Sequence, residues 1–447
     1  MRFADFAQVA PDAVDLERVR TLWEASRGAY DPAAWVLPLP VWRFRPWDVT
    51  GAAAWEELRA DLAGAETPTP MCIYLHVPFC ASKCGFCDSY SFALRSHQTE
   101  RIETYVDRIC AELELWSADL STRPIPTVHL GGGTPSFLGV AALARIAATI
   151  RRNFAVSEDT EWALESTSRE LTPSLLVALH DLGFRRLHLG VQSLQDDVRR
   201  AIGRTASADD VVDTLAAARA LGWVVSVDMI CGLPGQTLAG LVADIERMVA
   251  SGVDGVSLYE LLVYPQNQRW ATSHAVDGAD RHLPNLWTFL AAADLLERRG
   301  FRTNVFNHWA GERDANVYFT CPARGEDLLA VGPIADGVFG DLHYRHPAYA
   351  PWMTAALPGL EGALRRPAGA ARVQPVQTAI LGARLGPGDL AVLDDLGGGR
   401  LLRRWTAAGL VEDDDAGGVR LTPSGSWFAG TMLQEVERLQ EVDHSGT

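Results

Sequence analysis

The sequence predicts an α/β protein built around an incomplete (β/α)6 barrel. Between residue 72 and about residue 310, short β-rich runs alternate with longer amphipathic runs. Alternation of this kind indicates parallel strands joined by right-handed helical crossovers. The predicted strands are 72–77, 126–130, 161–166, 186–191, 223–230 and 254–260. The full length of 447 residues leaves room for further domains around a barrel at 71–310.

A tryptophan-rich segment precedes the barrel. Residues 1–70 contain five of the fourteen tryptophans. The run from Trp35 to Trp47 carries three prolines, which exclude a regular helix. We therefore expect an extended strap that lies on the main domain, with its aromatic side chains used mainly for packing.

Two regions follow the barrel. We interpret residues 311–364 as a connecting segment that covers the substrate. Residues 365–447 read as a helix, a glycine turn, a short hairpin and a second helix, which is a winged-helix-like α+β pattern. The hairpin carries the acidic run 412–415, which would repel phosphate, so a structural or substrate-covering role is expected for this domain.

The composition excludes several partners. Acidic residues outnumber basic ones by 56 to 40, and no block of Lys and Arg stands out, so neither nucleic acid nor an anionic membrane is expected as a partner. No apolar run approaches the ~18 residues of a membrane span. The first residues lack the basic and apolar regions of a secretory signal. We expect a soluble cytoplasmic protein.

Three of the seven cysteines fall within eight residues: Cys80, Cys84 and Cys87. They follow the first predicted strand, at the end where α/β barrels carry their chemistry. One interpretation is a zinc site with His97 as the fourth ligand. The other is a [4Fe–4S] cluster held by three thiolates, with one iron left open for a ligand. The strand before the loop, and Phe86 within it as a shield against solvent, favour the cluster.

The cysteine spacing, with Tyr74, His76 and Pro78-Phe79 ahead of it, resembles the radical S-adenosylmethionine (SAM) superfamily, and more narrowly its coproporphyrinogen-dehydrogenase-like branch. The glycine run 131–133 after the second strand can bring backbone close to a ligand. The resemblance implies that Tyr74, Gly132 and Glu165 contact a first SAM, whose amine and carboxylate bind the open iron. Ser168 stands where that branch usually has proline.

The same resemblance implies a second SAM molecule beside the first. The residues that match its binding set are Phe86, Gly133, Thr134, Gln192, Arg204 and Asp228. The alternative for Gln192, Arg204 and Asp228 is a buried polar network that braces the barrel mouth, because an unpaired buried carboxylate is costly. An external one-electron donor, flavodoxin or ferredoxin, is implied as a partner.

Departures from the branch decide among its members. Ser89 stands where the dehydrogenases have a fourth cysteine. The haem-associated motif of the haem chaperones corresponds to residues 315–320, where alanine and threonine replace its histidine and tryptophan, so the axial ligand candidate is lost. We therefore predict a C-methyltransferase or cyclopropanase of natural-product biosynthesis, in which a 5′-deoxyadenosyl radical takes hydrogen from the methyl group of the second SAM. The methylene then adds to an unsaturated carbon of a small molecule or modified peptide. The alternatives are a haem chaperone-like and a coproporphyrinogen III dehydrogenase-like protein.

Such a reaction also needs a base. The stretch 336–346 brings two aspartates, two histidines and a tyrosine close together after an apolar run. A histidine that titrates near neutrality suits proton removal after radical addition. We predict His343, Tyr344 and Asp336 as the catalytic group, and the alternative is a solvated loop. Cys321 is interpreted as a small buried residue rather than a radical quencher.

Overall fold

A thirteen-stranded mixed sheet forms the centre of the computed structural model, which describes residues 2–33, 41–64, 69–95, 98–321 and 324–440. Its strand order is β1-β15-β14-β13-β12-β2-β5-β6-β7-β8-β9-β11-β10. The strands of the described residues are, in chain order, β1 (Val49–Thr50), β2 (Met71–Val77), β3 (Phe79–Cys80), β4 (Phe92–Ala93), β5 (Thr127–Gly132), β6 (Glu161–Ser166), β7 (Arg186–Gln192), β8 (Val224–Cys231), β9 (Gly255–Glu260), β10 (Arg302–Val305), β11 (His308–Ala310), β12 (Asp327–Val331), β13 (Asp336–Phe339), β14 (Leu342–Arg345), β15 (Gly362–Arg365), β16 (Arg384–Leu385), β17 (Val411–Asp413) and β18 (Val419–Leu421).

Helices fill the connections between these strands. Those of the described residues are α1 (Phe3–Gln8), α2 (Leu16–Ser26), α3 (Gly51–Gly64), α4 (Thr99–Leu120), α5 (Val140–Asn153), α6 (Pro173–Asp181), α7 (Asp196–Ala201), α8 (Ala208–Ala220), α9 (Leu238–Ala250), α10 (Gln268–Ser273), α11 (His282–Arg298), α12 (Val317–Thr320), α13 (Tyr349–Thr354), α14 (Ala368–Leu381), α15 (Pro387–Asp395), α16 (Gly399–Ala407) and α17 (Pro423–Glu437). Within this part of the chain, none is both long and apolar enough to cross a membrane.

The six predicted parallel strands are confirmed. β2, β5, β6, β7, β8 and β9 pair in this order and all run parallel. The helices between them bury the apolar stripe that their spacing predicts. In α4, for example, Val106, Ile109, Leu113 and Trp116 are fully buried. The predicted fold class, an open barrel with a small C-terminal α+β domain, therefore agrees with the structure.

The sheet extends beyond the predicted barrel. β12 pairs in parallel with β2, and β13, β14, β15 and β1 continue the sheet in antiparallel fashion. Residues 311–364, interpreted from the sequence as a connecting segment, thus carry four strands of the main sheet. These strands have only four or five residues each and mix polar with apolar side chains, which leaves a weak sequence signal. Their covering role stays a prediction.

The pairing register decides which side chains share a face of this sheet. Residues opposite each other on neighbouring strands point to the same face, as do alternate residues along one strand. Tyr74 on β2 lies opposite His129 on β5 and Ala330 on β12. Following such pairs defines one face, here called the inner face, whose polar side chains from one edge inward are Arg345, His343, Asp336, Tyr74, His129, Glu165, His188 and Asp228.

The segments at both ends pack on this core. Trp23 contacts Trp287 of α11, and Trp55 contacts Trp116 of α4, which agrees with the packing role expected for tryptophans. Residues 41–44 form a single turn of 3-10 helix, and Trp35 lies outside the described residues. At the other end, α16, the hairpin β17–β18 and α17 follow the predicted order.

Candidate active site

The three clustered cysteines lie together at the carboxyl end of β2. Cys80 ends β3, Cys84 and Cys87 follow in the next loop, and all three are half-buried free thiols that line one pocket. The Thr134 hydroxyl lies 3.5 Å from Cys80 Sγ, and Lys83 Nζ lies 3.6 Å from Cys87 Sγ. Burial raises the pKa of the Cys84 thiol, while the nearby Arg204 lowers it. Three convergent thiols with a lysine and an arginine nearby suit an iron–sulfur cluster. His97, the alternative zinc ligand, lies outside the described residues.

The glycine run 131–133, at the carboxyl end of β5, packs closely against the cysteine loop. A Cβ on Gly133 would lie 2.6 Å from the Phe79 carbonyl oxygen and 3.1 Å from Cys80 Sγ. Gly132 has φ +104°, and a Cβ there would lie 2.6 Å from the His76 ring. The Gly133 amide donates to the Val77 carbonyl at 2.7 Å. The glycine run therefore holds the cysteine loop against the sheet, and no larger residue fits there.

Glu165 and Gly132, both predicted to contact SAM, contact each other. Glu165 accepts a hydrogen bond from the Gly132 amide at 3.0 Å and lies 3.0 Å from His129 Nε2. Burial raises the pKa of Glu165, but the bonds from His129 and Gly132 outweigh it and leave the pKa below its usual value. The Tyr74 hydroxyl lies beside this pair and contacts His76 Nδ1 at 3.1 Å. The first predicted set thus forms one charged, oriented group on the inner face.

The second predicted set lines a neighbouring cavity. Phe86, Gln192 and Asp228 border a space of about 260 Å³ next to the cysteine loop. Gln192 has φ 70° at a bulge in the β7–β8 pairing, and its buried Oε1 has no hydrogen-bond partner among the described residues. The buried Nε of Arg204 also has no hydrogen-bond partner among the described residues. The guanidinium carbon of Arg204 lies 5.9 Å from the centroid of the Phe86 ring. Two buried polar atoms without a protein partner suit a polar ligand at this position.

Asp228 has a partner that the sequence analysis missed. His188 Nε2 lies 2.7 Å from Asp228 Oδ1, and His188 Nδ1 lies 2.8 Å from the Ser226 hydroxyl. Burial lowers the pKa of His188, but Asp228 outweighs it and raises the pKa above its usual value. The alternation of side chains along β7 could have predicted this pair, because it puts His188 on the same face as Gly190, which lies opposite Asp228.

Further charged pairs continue across the inner face. Arg186 Nη1 lies 2.7 Å from Asp314 Oδ1, and His308 Nε2 lies 2.8 Å from Asp314 Oδ2. Asn316, from the altered haem-associated motif, accepts a hydrogen bond from Arg186 at 3.2 Å. In that motif, Tyr318 stacks on His129 with ring centroids 4.2 Å apart. These residues brace the centre of the barrel.

The predicted catalytic group is divided between the two faces of the sheet. Asp336 and His343 lie on the inner face with Asp336 Oδ1 3.0 Å from His343 Nε2, and Arg345 donates two hydrogen bonds to Asp336. Tyr344 lies on the opposite face, where its hydroxyl bonds the Ala330 amide and carbonyl at 2.9 and 3.0 Å. Burial lowers the pKa of His343, so this imidazole is neutral at pH 7. The structure does not bring Tyr344 to the site, and a catalytic role for the three residues stays a prediction.

Two of the other cysteines lie at the far end of β2. Cys72 and Cys321 are buried, and Cys72 Sγ lies 3.7 Å from Glu326 Oε2. The contact with Cys321, together with burial, raises the pKa of Cys72 well above its usual value. Cys72 precedes the loop cysteines by the length of β2, so this pair is separate from the cysteine loop.

Comparison with known proteins identifies the class of this site. The family model described as the Radical SAM superfamily matches residues 74–248, which contain all three loop cysteines. Coproporphyrinogen III oxidase from Escherichia coli, a radical SAM enzyme, has the same fold with a TM-score of 0.74 and 21% identity over 91% of this chain and 99% of that chain. Residues 74–248 therefore match the Radical SAM superfamily, and the chain has the fold of a radical SAM enzyme. This class implies a [4Fe–4S] cluster and SAM, and the loop cysteines and the Gly132–Glu165 group fit both.

Within the class, the relatives are of the coproporphyrinogen oxidase-like type. Anaerobilin synthase from Escherichia coli O157:H7 is 27% identical over 88% of each chain. Oxygen-independent coproporphyrinogen III oxidase from Escherichia coli K12 is 30% identical over 61% of this chain and 62% of the relative. Heme chaperone HemW from Mycobacterium tuberculosis is 34% identical over 43% of this chain and 50% of the relative. The chain thus spans most of the first relative and half to three fifths of the other two.

These relatives contradict the predicted methyltransferase or cyclopropanase. The names of all three refer to tetrapyrroles, and they favour the alternatives that the sequence analysis kept open. The error has a physical cause. Ser89 and residues 315–320 separate this chain from the oxidases and chaperones at those positions only, and the loss of one motif carries no information about methyl transfer.

Proposed function

We propose that this protein is a radical SAM enzyme that acts on a tetrapyrrole. The observation that carries the proposal is the match to anaerobilin synthase over 88% of both chains, which includes the regions outside the barrel. The shorter matches to a coproporphyrinogen oxidase and a haem chaperone point to the same class of compound. The alternative, a haem chaperone-like protein, lacks support from the altered motif at 315–320, where the histidine is missing.

We also propose two SAM molecules in the site. Tyr74, Gly132 and Glu165 are assigned to the first, since they already form one oriented group with the acidic Glu165 available to an ammonium. The second is assigned to the cavity lined by Phe86, Gln192 and Asp228. Gly133, Thr134 and Arg204 line the pocket of the loop cysteines, which shares Phe86 with this cavity, and would contact the second SAM from there. The unpartnered Gln192 Oε1 and Arg204 Nε support a polar ligand there.

The residues of the inner face would position both cofactor and substrate. When bound, the cluster and SAM supply a radical that abstracts hydrogen. His129 orients Glu165, and His188 orients Asp228, so both carboxylates stay in one conformation. Tyr318 and Phe319 add ring surface between these pairs, which excludes water from the reacting carbon. An external one-electron donor, flavodoxin or ferredoxin, would complete the system.

Anaerobic turnover tests this proposal. The reconstituted protein is mixed with SAM, dithionite or reduced flavodoxin, and either haem or coproporphyrinogen III. We expect one of the two tetrapyrroles to raise the formation of 5′-deoxyadenosine above the rate without substrate and to change mass. If neither changes the rate, the proposal is wrong.

Two controls assign the signal. Cys84→Ser should abolish turnover because it removes a cluster ligand. Cys110→Ser, on α4, replaces a cysteine outside the loop and should keep turnover. Stoichiometric haem binding by the wild type, without any cleavage of SAM, would contradict the enzymatic proposal and favour a haem chaperone-like role.

A further inference from the structure

We propose that Arg43, Arg345 and Arg366 form a carboxylate-binding site that holds an acidic side chain of the substrate. These residues, here called the arginine cluster, lie at the β13–β15 end of the inner face. The inference rests on the proposed function, because porphyrins and porphyrinogens carry propionate side chains. It adds the place on this protein where those carboxylates bind.

Two tryptophans of the N-terminal segment form the walls of the cluster. Trp42 contacts both Arg43 and Arg366, whose guanidinium carbons are 5.8 and 5.7 Å from its ring centroid. Trp47 lies under Arg345 at 5.7 Å. The aromatic faces fix the planar guanidinium groups.

Arg345 uses Nε and Nη2 on Asp336. Arg366 donates to Gln374 and to the Gly340 carbonyl. A carboxylate would therefore be bound by the remaining N–H groups and by Arg43.

A buried histidine completes the cradle. The His343 ring contacts both tryptophans, with centroid distances of 6.0 Å to Trp42 and 5.7 Å to Trp47. Its Nε2 faces Asp336, while its buried Nδ1 has no hydrogen-bond partner among the described residues. In the neutral ring Nε2 carries the proton that bonds Asp336 and Nδ1 is an acceptor, so His343 contributes a wall to the cluster and no donor to a carboxylate.

The acidic residues nearby already have basic partners, and the partner of Asp336 is Arg345 of the cluster itself. Asp336 accepts two hydrogen bonds from Arg345 at 2.7 and 3.0 Å. Asp341 pairs with Arg365 at 2.6 Å, and Asp48 accepts a hydrogen bond from the Arg365 amide at 2.8 Å. Glu361 also raises the pKa of Arg345, but less than Asp336 does.

Arg43 is left without such a partner. Its Nε is buried and makes no hydrogen bond to any described residue. Burial lowers the pKa of Arg43, and Arg366 and Arg345 lower it further, against the opposing effect of Asp336. Burying a charge without a partner is unfavourable. An incoming carboxylate would remove this imbalance, so the cluster suits an anion better than an empty surface.

The cluster also lies at the right place relative to the cofactor end. Arg345 lies on β14, four strands from β5, which carries Gly132, in the order β14-β13-β12-β2-β5. With neighbouring strands about 4.8 Å apart, the two backbones are about 19 Å apart, and the arginine side chain covers part of that distance. A porphyrin ring with its side chains can bridge this span, with one propionate on the cluster and the opposite edge of the ring near Gly132 and Glu165.

Binding measurements with the cluster-loaded protein test this inference. The probes are coproporphyrin III, which carries free carboxylates, and its tetramethyl ester, each followed by fluorescence titration. Arg43→Gln should weaken binding of the free acid by about tenfold or more, because a charge-assisted hydrogen bond is lost. The ester should bind the wild type and the variant equally. Arg43→Lys should recover part of the affinity, since the charge is kept but the fork is lost.

A matched control lies two residues away. Arg45 is exposed and pairs with Asp48 at 3.6 Å, so Arg45→Gln should leave both affinities unchanged. A stability measurement separates binding from structure. Arg43→Gln should not lower the free energy of unfolding of the porphyrin-free protein, because it removes a buried charge whose Nε has no hydrogen-bond partner among the described residues. A purely structural Arg43 would lower it.

The outcomes keep the two proposals apart. If the wild type binds neither probe, the proposed tetrapyrrole function fails. If it binds the acid and the ester equally well, or if Arg43→Gln retains the affinity for the acid, the arginine cluster is wrong while the proposed function stands.

Discussion

The inner face has two regions that treat charge differently. At the centre of the barrel each carboxylate has a basic partner: Glu165 pairs with His129, Asp228 with His188, and Asp314 with Arg186. At the edge, near β13–β15, Asp336 bonds Arg345, while the buried Nε of Arg43 has no hydrogen-bond partner among the described residues. The central carboxylates are paired without a substrate, whereas the edge holds an arginine, Arg43, with an unsatisfied buried nitrogen. We infer that the centre fixes geometry and the edge provides charge for binding.

The same physics explains why the two regions should respond differently to mutation. Removing one partner of a buried ion pair leaves an uncompensated charge and is strongly destabilising. Removing a charge that has no partner does not incur that loss. Mutations at the centre should therefore lower stability or abolish function, while those at the edge should change binding alone, as expected for Arg43.

The largest effect is expected at the cysteine loop, which adjoins the centre. Cys84→Ser removes one of the three thiols proposed to hold the cluster, so we expect reconstituted iron to fall and SAM cleavage to drop below detection. Iron content and 5′-deoxyadenosine formation measure both effects. Cys231→Ser, a buried cysteine on β8, is the control and should keep its iron. Full SAM cleavage by Cys84→Ser would contradict the assignment.

The next effect tests the ion pair at the centre. Asp314→Asn leaves Arg186 and His308 without their carboxylate, and Arg186 is almost fully buried. We expect the free energy of unfolding to fall by about 3–5 kcal/mol, measured by denaturant titration. Asp341→Asn, at an exposed pair with Arg365, should change it by less than about 1 kcal/mol. Equal effects of the two variants would remove the distinction between centre and edge.

The sequence predicted the centre better than the edge. The six parallel strands follow from alternating β-rich and helical runs, and the cysteine loop was predicted from the spacing of the cysteines, the strand before them and the family resemblance. β12–β15 were missed because four- or five-residue strands with mixed polarity give no clear periodicity. Their register, which brings Asp336 and His343 to the inner face but not Tyr344, exists only once the strands pair.

Other site residues depended on contacts that are distant in sequence. His188 and Asp228 are separated by 40 positions, and His129 and Glu165 by 36, so only the folded sheet shows them as pairs. Arg43 joins Arg345 and Arg366 across about 300 positions, through a segment expected only to pack. The predicted methyltransferase or cyclopropanase activity was wrong because that prediction rested on replaced motif residues and on no contact in the fold.

A smaller effect distinguishes the two histidines of the centre by pH. Asp228 raises the pKa of His188, so this histidine stabilises the fold below its unfolded pKa of about 6.5 and loses that contribution as pH rises through its folded pKa. His188→Gln should therefore cost about 1.5–3 kcal/mol near pH 6 and less near pH 9. The measurement is the free energy of unfolding of the wild type and variant at both pH values.

His129 provides the opposite case. Burial lowers its pKa, more than the contact with Glu165 raises it. Its contribution is thus present above the unfolded pKa and decreases as pH falls below it. His129→Gln should cost more near pH 9 than near pH 6. If both variants show the same pH trend, the two pairs do not differ in charge as inferred.

The smallest expected effect concerns Tyr344, which shares β14 with His343 but faces away from the inner face. Its hydroxyl bonds both backbone groups of Ala330, where β12 pairs with β13 at a single described position. Tyr344→Phe should lower the free energy of unfolding by about 1 kcal/mol, because those groups lose a partner. If Tyr344 acts only on the fold, kcat/KM stays at the wild-type value, whereas His343→Ala raises KM for an acidic substrate by removing a wall of the arginine cluster. A loss of kcat in Tyr344→Phe with unchanged stability would instead restore the predicted catalytic role.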